Sequence, residues 1–207
     1  MADLSDSFND GTIGAVWGSY GTTTTVAEKG GCLVFNTSTS TGYGGLDSAT
    51  TYDLTSNYAF MQLLNAGNQA LASMEVVPVK VTLDANNNLF WYVNGGNIIA
   101  YKTVATTLTN IASTTYNAAI HEWFRIREAS GTTYYEYSSD GISWTIFTSL
   151  ANPFALTALT VDPSVGTYSA EASGTTVIMD NFNKPPLGGQ YRHAVVGDGM
   201  GRAEVMN

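Results

Sequence analysis

The side chains best suited to hold a ligand are aromatic rings interleaved with arginines. Trp91, Tyr92 and Tyr101 fall in one pair of runs, and Trp123, Arg125, Arg127, Tyr134, Tyr135 and Tyr137 in another. Flat rings beside polar or charged groups can hold the C–H face and the hydroxyls of a sugar together. Trp91, Trp123, Arg125, Arg127 and Tyr135 form the candidate carbohydrate-binding set. Arg125 and Arg127 cannot be buried unpaired, so they mark an exposed face, either a ligand face or a solvated one. Trp144, flanked at i±2 by Ile142 and Ile146, reads as core. Acid–base and nucleophilic chemistry is poorly supplied. His121 and His193 are the two histidines, and neither sits in a nucleophile motif. Cys32, the single cysteine, can form no intrachain disulfide and reads as a small buried apolar residue. No His/Cys cluster has zinc-ligand spacing.

These residues must be positioned by strands. Residues 121–150, HEWFRIREASGTTYYEYSSDGISWTIFTSL, read as a three-stranded antiparallel meander. Trp123 to Glu128 alternates, Thr132 to Tyr137 is β-branched and aromatic, and Ser138-Ser139-Asp140-Gly141 supplies a turn. Ile142, Trp144 and Ile146 should then share one face of the third strand, and Asp140 should brace its own turn. Leu89 to Val93 and Asn97 to Lys102, joined by Asn94-Gly95-Gly96, make a second hairpin, and Val26 to Glu28 with Cys32 to Asn36 a third. Pro78 interrupts the strand Ser73 to Leu83, which suggests an edge position or a bulge. Asn36 to Asp53 reads as loop, with Tyr43 and Tyr52 as exposed aromatics. Asn65 to Ala72 also reads as loop, and Thr103 to Thr115 as loop or edge strand. Thr175 to Asn183 is the last strand. No long run has a 3.6-residue apolar period, so helix should be minor.

The chain has 207 residues and a net charge of −9. Residues 1–183 hold 5 Lys/Arg against 15 Asp/Glu, a balance of −10, whereas 184–207 hold 3 against 2. An acidic body repels phosphate backbones, so nucleic acid is not an expected partner. No apolar run approaches membrane-spanning length, and the acidic start Met-Ala-Asp-Leu-Ser-Asp lacks the features of a signal peptide. Synthesis in a cytoplasm, with no membrane association, is the expectation.

Several of these elements, in order, resemble the concanavalin A-like lectin/glucanase superfamily, which includes laminin G-like domains. They are Asp6-x-Phe8 followed by Trp17, then Trp123 with Ile126-Arg127, Ser138-x-Asp140-Gly141-x-x-Trp144, and the closing Asp180-Asn181-Phe182. The likeness covers about residues 3–183. It implies an all-β fold, a jelly-roll sandwich of two antiparallel sheets, with the first and last strands side by side. Domain limits of 1–183 for the sandwich and 184–207 for a Pro/Gly linker and C-terminal arm follow. The resemblance also raises glycoside hydrolysis, which needs two carboxylates flanking the scissile bond. The glucanase branch presents them as Glu-x-Asp-x-Glu, and this sequence has no such triplet. Glu122 and Glu128 are separated by Arg125 and Arg127, and Glu136 and Asp140 straddle a turn. A non-enzymatic protein that does not hydrolyse β-glucans is expected. The resemblance further implies a calcium site near the paired termini, with Asp6 and Asp180 as its metal ligands, although no cofactor should be required.

The composition changes at Lys184-Pro185-Pro186-Leu187-Gly188-Gly189. Beyond it, Val196 to Val205 (VGDGMGRAEV) resembles Gly-Asp-x-Gly-x-Gly segments of bacteriophage minor tail proteins. That likeness implies a virion surface component presenting a lectin-like module to a host cell-surface glycan. Residues 184–207 would then dock on other virion proteins by adding a strand or filling a groove. The alternatives are a polysaccharide hydrolase on the same fold and an architectural decoration protein with no ligand.

Overall fold

The computed structural model describes residues 4–186. Sixteen strands follow one another: β1 (Trp17–Gly21), β2 (Thr25–Lys29), β3 (Cys32–Asn36), β4 (Gly42–Ser48), β5 (Tyr58–Asn65), β6 (Met74–Val77), β7 (Lys80–Asp84) and β8 (Asn87–Asn94). After them come β9 (Asn97–Val104), β10 (Thr107–Thr115), β11 (Trp123–Ala129), β12 (Thr132–Ser138), β13 (Thr145–Ala151), β14 (Thr160–Val161), β15 (Ser164–Thr167) and β16 (Thr176–Asp180). Among the described residues there is no helix. The strands form two antiparallel sheets facing each other across one core, a jelly-roll sandwich.

The seven-stranded sheet runs β13-β12-β11-β5-β16-β3-β2 and contains the predicted meander. Its register sets Trp123 opposite Ser138, Arg125 opposite Glu136 and Arg127 opposite Tyr134. The third strand starts later than the alternation suggests, at Thr145. Asp140 holds residues 142 and 143 in the turn instead, its Oδ1 accepting from Ile142 N at 2.8 Å and Ser143 N at 2.7 Å. These bonds push the Asp140 carboxyl down to about 2. Ile142 and Ile146 therefore stay exposed, and Trp144 lies on the outer surface against Phe60 and Arg125 instead of in the core.

The nine-stranded sheet runs β1-β4-β15-β6-β8, then β9 and β10 on the far side of β8. Two of its strand lines are broken by proline. β6 and β7 run in succession along β8 with Pro78 between them, and β15 and β14 pair with β6 and β7 respectively with Pro163 between them. A proline has no N–H for the ladder, so it interrupts the line. Pro78 thus lies in an interior strand line, not at an edge. β4 occupies the Gly/Thr-rich stretch that reads as loop, because its glycines leave room for Thr22, Thr23, Thr24 and the Tyr20 ring against its backbone. β10 is the edge strand that Thr103 to Thr115 allowed.

The termini meet as expected. Asp6 bridges Phe182, its N–H donating to the Phe182 carbonyl at 2.9 Å. Phe8, Trp17 and Phe182 pack together, with Trp17 edge-on to Phe182 at 5.1 Å. At the centre of the core Trp91 touches the rings of Phe124, Tyr135 and Phe147.

Candidate ligand faces of the two sheets

Each sheet turns one face inward and one outward, and alternation decides which side chains each presents. On β8, Leu89, Trp91 and Val93 face inward and are fully buried. On β12 Tyr135 does the same, its hydroxyl donating to the Tyr101 carbonyl at 2.5 Å. Trp91 donates its indole N–H to the Arg125 carbonyl at 2.9 Å, tying one sheet to the other. Trp91 and Tyr135 therefore cannot offer a ring to a ligand. Parity along each strand decides this, since a one-residue shift exchanges the two faces, and Tyr92 and Tyr134 hold the outward positions. Trp123 does point outward but is buried under Phe60, Gly141 and Pro186.

Arg125 and Arg127 lie on the outer face of the seven-stranded sheet, around one carboxylate. Arg125 Nε donates to Glu136 Oε2 at 2.6 Å, and Arg127 Nη2 donates to Oε1 at 2.9 Å. Arg125 is also roofed by the Trp144 ring, 4.0 Å away, and Arg127 lies over Tyr134 at 4.2 Å. Burial alone would raise the Glu136 carboxyl, but the hydrogen bonds and charges of Arg127 and Arg125 outweigh it and hold it below the usual range. The arginines form a clamp that is largely closed, not an open solvated face. Losing Arg125 would remove packing and pairing together, so Arg125→Ala cannot be thermally silent.

The outer face of the nine-stranded sheet carries a second set of polar groups. Tyr43 on β4 and Tyr92 on β8 both donate their hydroxyls to Glu75 on β6, Tyr43 at 2.6 Å to Oε2 and Tyr92 to Oε1. A second carboxylate, Asp162 beside β14, accepts from Tyr20 at 2.8 Å and from Lys80 Nζ at 2.7 Å. Burial, reinforced by these carboxylates, raises the Tyr20, Tyr43 and Tyr92 phenols, so all three remain proton donors. Phe90 stacks on Tyr101 at 5.3 Å, and Tyr92 meets Tyr101 edge-on at 5.6 Å. Exposed Asp47 has its carboxyl raised by partial burial and by Asp162. Opposite one another on β7 and β8, the buried Thr82 Oγ1 and Asn88 Oδ1 have no hydrogen-bond partner among the described residues.

Glycines make this face possible. Register places Gly45 beside Tyr20 and Gly166 beside Tyr43. A Cβ on Gly45 would meet the Tyr20 hydroxyl at 2.5 Å, and one on Gly166 would meet the Tyr43 ring at 2.3 Å. The rings therefore lie down across bare backbone, and their hydroxyls reach carboxylates on the next strands.

Most of this set escapes a reading of the sequence. Tyr92 and Tyr101 stand among the aromatics named there, and Tyr43 as an exposed one, but Tyr20, Glu75, Lys80 and Asp162 do not. A usable signal was present, because Glu75 and Lys80 are charges inside an alternating strand of a chain with only 12% charged residues.

The nominated metal ligands meet a different test. Asp6 Oδ1 accepts from Phe8 N at 2.9 Å and Oδ2 from Trp17 Nε1 at 3.0 Å, while both Asp180 oxygens accept from Asn181. A calcium shell takes about six to eight oxygens, from carboxylates, carbonyls and water. No group of three or more His, Cys, Asp or Glu among the described residues is arranged to hold a metal. With these bonds Asp6 and Asp180 brace the junction of the termini.

Asp180 sets a pH dependence there. Burial raises its carboxyl to about 7, helped by Asp6 and Glu28 and opposed by the Asn181 N–H. The folded form keeps a proton that the unfolded chain releases near 3.8, so this contribution is fully present below that value. It is lost as pH rises through about 7. Asp180→Asn should abolish this fall in stability between pH 3.8 and about 7, measured by denaturant titration. An unchanged pH slope would refute the assignment. His121 has a structural role as well, Nδ1 accepting from Asn117 N at 2.9 Å. His193 lies outside the described residues.

No protein-family profile matches the chain, and no curated protein matches it. Solved structures do. A laminarinase from Flavobacterium sp. UMI-01 superposes with a TM-score of 0.64 at 8% identity, covering 86% of this chain and 98% of that one. A Bacillus licheniformis β-glucanase gives 0.63 at 8% identity, covering 86% and 96%. The carbohydrate recognition domain of Emp47p gives 0.58 at 12% identity, covering 88% and 96%. At such identities the likeness defines the fold, the concanavalin A-like jelly roll.

Proposed function

We propose that this protein is a non-catalytic glycan-binding module whose saccharide lies on the outer face of the nine-stranded sheet. One observation carries the reading: the ring cluster of Phe90, Tyr92 and Tyr101 adjoins tyrosine hydroxyls held by Glu75 and Asp162. Rings supply apolar platforms for sugar C–H faces, and the polar atoms supply donors and acceptors for hydroxyls. Both a carbohydrate recognition domain and glucanases share the fold, which supports a saccharide as ligand. The non-catalytic part rests on the carboxylates. Glu75 is held by two phenols, and Asp162 by a phenol and an ammonium. Neither is a free acid or nucleophile poised over a glycosidic bond.

A finer placement, as a surface component of a phage particle facing a host glycan, draws its support from Val196 to Val205. That segment lies outside the described residues, as does all of the docking arm beyond Pro186. Mass spectrometry of purified particles tests it, since a virion component must be found in them.

The site itself is tested by screening the full chain on a glycan array and titrating a retained oligosaccharide calorimetrically. Tyr101→Ala should weaken binding at least about tenfold, as loss of a central aromatic contact does. Reducing ends released by the wild type and lost in Glu75→Gln would establish the hydrolase alternative. An array that retains nothing would favour the architectural one.

A further inference from the structure

We propose that the flank of the sandwich formed by β10 and β13 is the surface through which two copies of this chain associate. β10 pairs antiparallel with its counterpart about a two-fold axis. The sequence singles out this flank. Residues 103–121 and 141–161 contain no Asp, Glu, Lys or Arg, although residues 1–183 carry 15 acidic and 5 basic side chains. Those two stretches supply the edge strands β10 and β13, which lie against each other on one side of the molecule. They also carry the most exposed aliphatic side chains: Leu108 at 57%, Ile120 at 44%, Ile142 at 65% and Ile146 at 55%.

The opposite flank shows what a guarded edge looks like. There β1 and β2 are five residues each, and β2 bears Glu28 and Lys29. Short strands and charges blunt an edge against pairing. β10 is nine residues long with neither proline nor charge, and its outer edge pairs with no described strand. Its one irregularity is a bulge between Asn110 and Ala112 that leaves Ile111 packed on the core. The bulge divides β10 into arms of equal length, 107–110 and 112–115. A two-fold axis at Ile111 would set each arm against the other arm of the copy.

Charge selects the occupant. Two acidic bodies repel wherever their carboxylates face each other, and this flank is where they can meet without like charges in contact. A basic partner would be drawn to the carboxylate-bearing faces, not to an uncharged edge. An isologous contact is also self-closing, so it yields a dimer and no filament.

Sedimentation velocity of the full chain across a concentration series is the test. The wild type should form a dimer that tightens as salt rises, because screening removes the residual repulsion between acidic bodies. Leu108→Lys with Ser113→Lys, both at exposed positions, should weaken the dimer at least about tenfold by placing like charges across the edge. Ser19→Lys on β1 should leave it intact, and circular dichroism should show all variants folded. A wild type that stays monomeric at every soluble concentration overturns the proposal. So does a dimer that survives the double change, or one broken by Ser19→Lys.

Discussion

Replacing Trp91 by alanine should lower the unfolding free energy by about 3–5 kcal/mol, the range for large aromatic truncations in a core. Trp91 is fully buried and makes ring contacts with Phe124, Tyr135 and Phe147 at 5.2, 5.5 and 5.2 Å. It packs β8 of one sheet against β11, β12 and β13 of the other, so its loss opens a cavity at the sheet–sheet contact. The indole N–H bond to the Arg125 carbonyl disappears too. Trp91→Phe should recover part of the packing but not that bond. Denaturant titration of both variants checks this, and a loss below about 1 kcal/mol for Trp91→Ala would mean the rings do not hold the sheets together. Such a change removes no group from the proposed ligand face, so folded Trp91→Phe should keep its glycan.

The second large effect is expected at Glu136. Glu136→Gln keeps the shape but removes the charge that neutralises Arg125 and Arg127, whose side chains are 15% and 26% exposed. Breaking a buried pair costs about 3–5 kcal/mol, and partial exposure of the arginines reduces the expectation to about 2–4 kcal/mol. The sign with pH is fixed. Because Glu136 is held below its ordinary carboxylate range, its stabilisation is present at neutral pH and lost as pH falls through the lowered value. The difference between wild type and Glu136→Gln should therefore shrink in acid. Equal stability at pH 7, or a difference that grows in acid, would show that the arginines do not depend on this carboxylate.

Local pattern made the fold legible where each strand has one wet face. The meander of β11, β12 and β13 shows itself by alternation and by its turn, and the junction of Asp6 with Phe182 follows from a resemblance resting on those same short elements. β4 was illegible because Gly42, Gly44 and Gly45 carry no hydrophobic pattern, and their role appears only against Thr22, Thr23, Thr24 and Tyr20 from an earlier part of the chain. The candidate site was read in part for the same reason. Trp91 and Tyr135 have the right chemistry but the inward parity, and parity is fixed by pairing across strands, not by the run itself. Arg125 and Arg127 were located on an outer face, yet their partner Glu136 sits on the next strand, so the sequence could not reveal that the pair is closed. Glu75 and Asp162 lie 87 positions apart and share one sheet face only because β6 and β7 run beside β15 and β14.

The most direct test of glycan binding is to locate the sugar by backbone chemical-shift mapping of the full chain, titrated with an oligosaccharide retained on the array. The account predicts saturable shifts confined to β4, β6, β8 and β9 around Tyr43, Glu75, Tyr92 and Tyr101. Shifts centred instead on Arg125, Arg127 and Trp144, or none with any oligosaccharide, would contradict it.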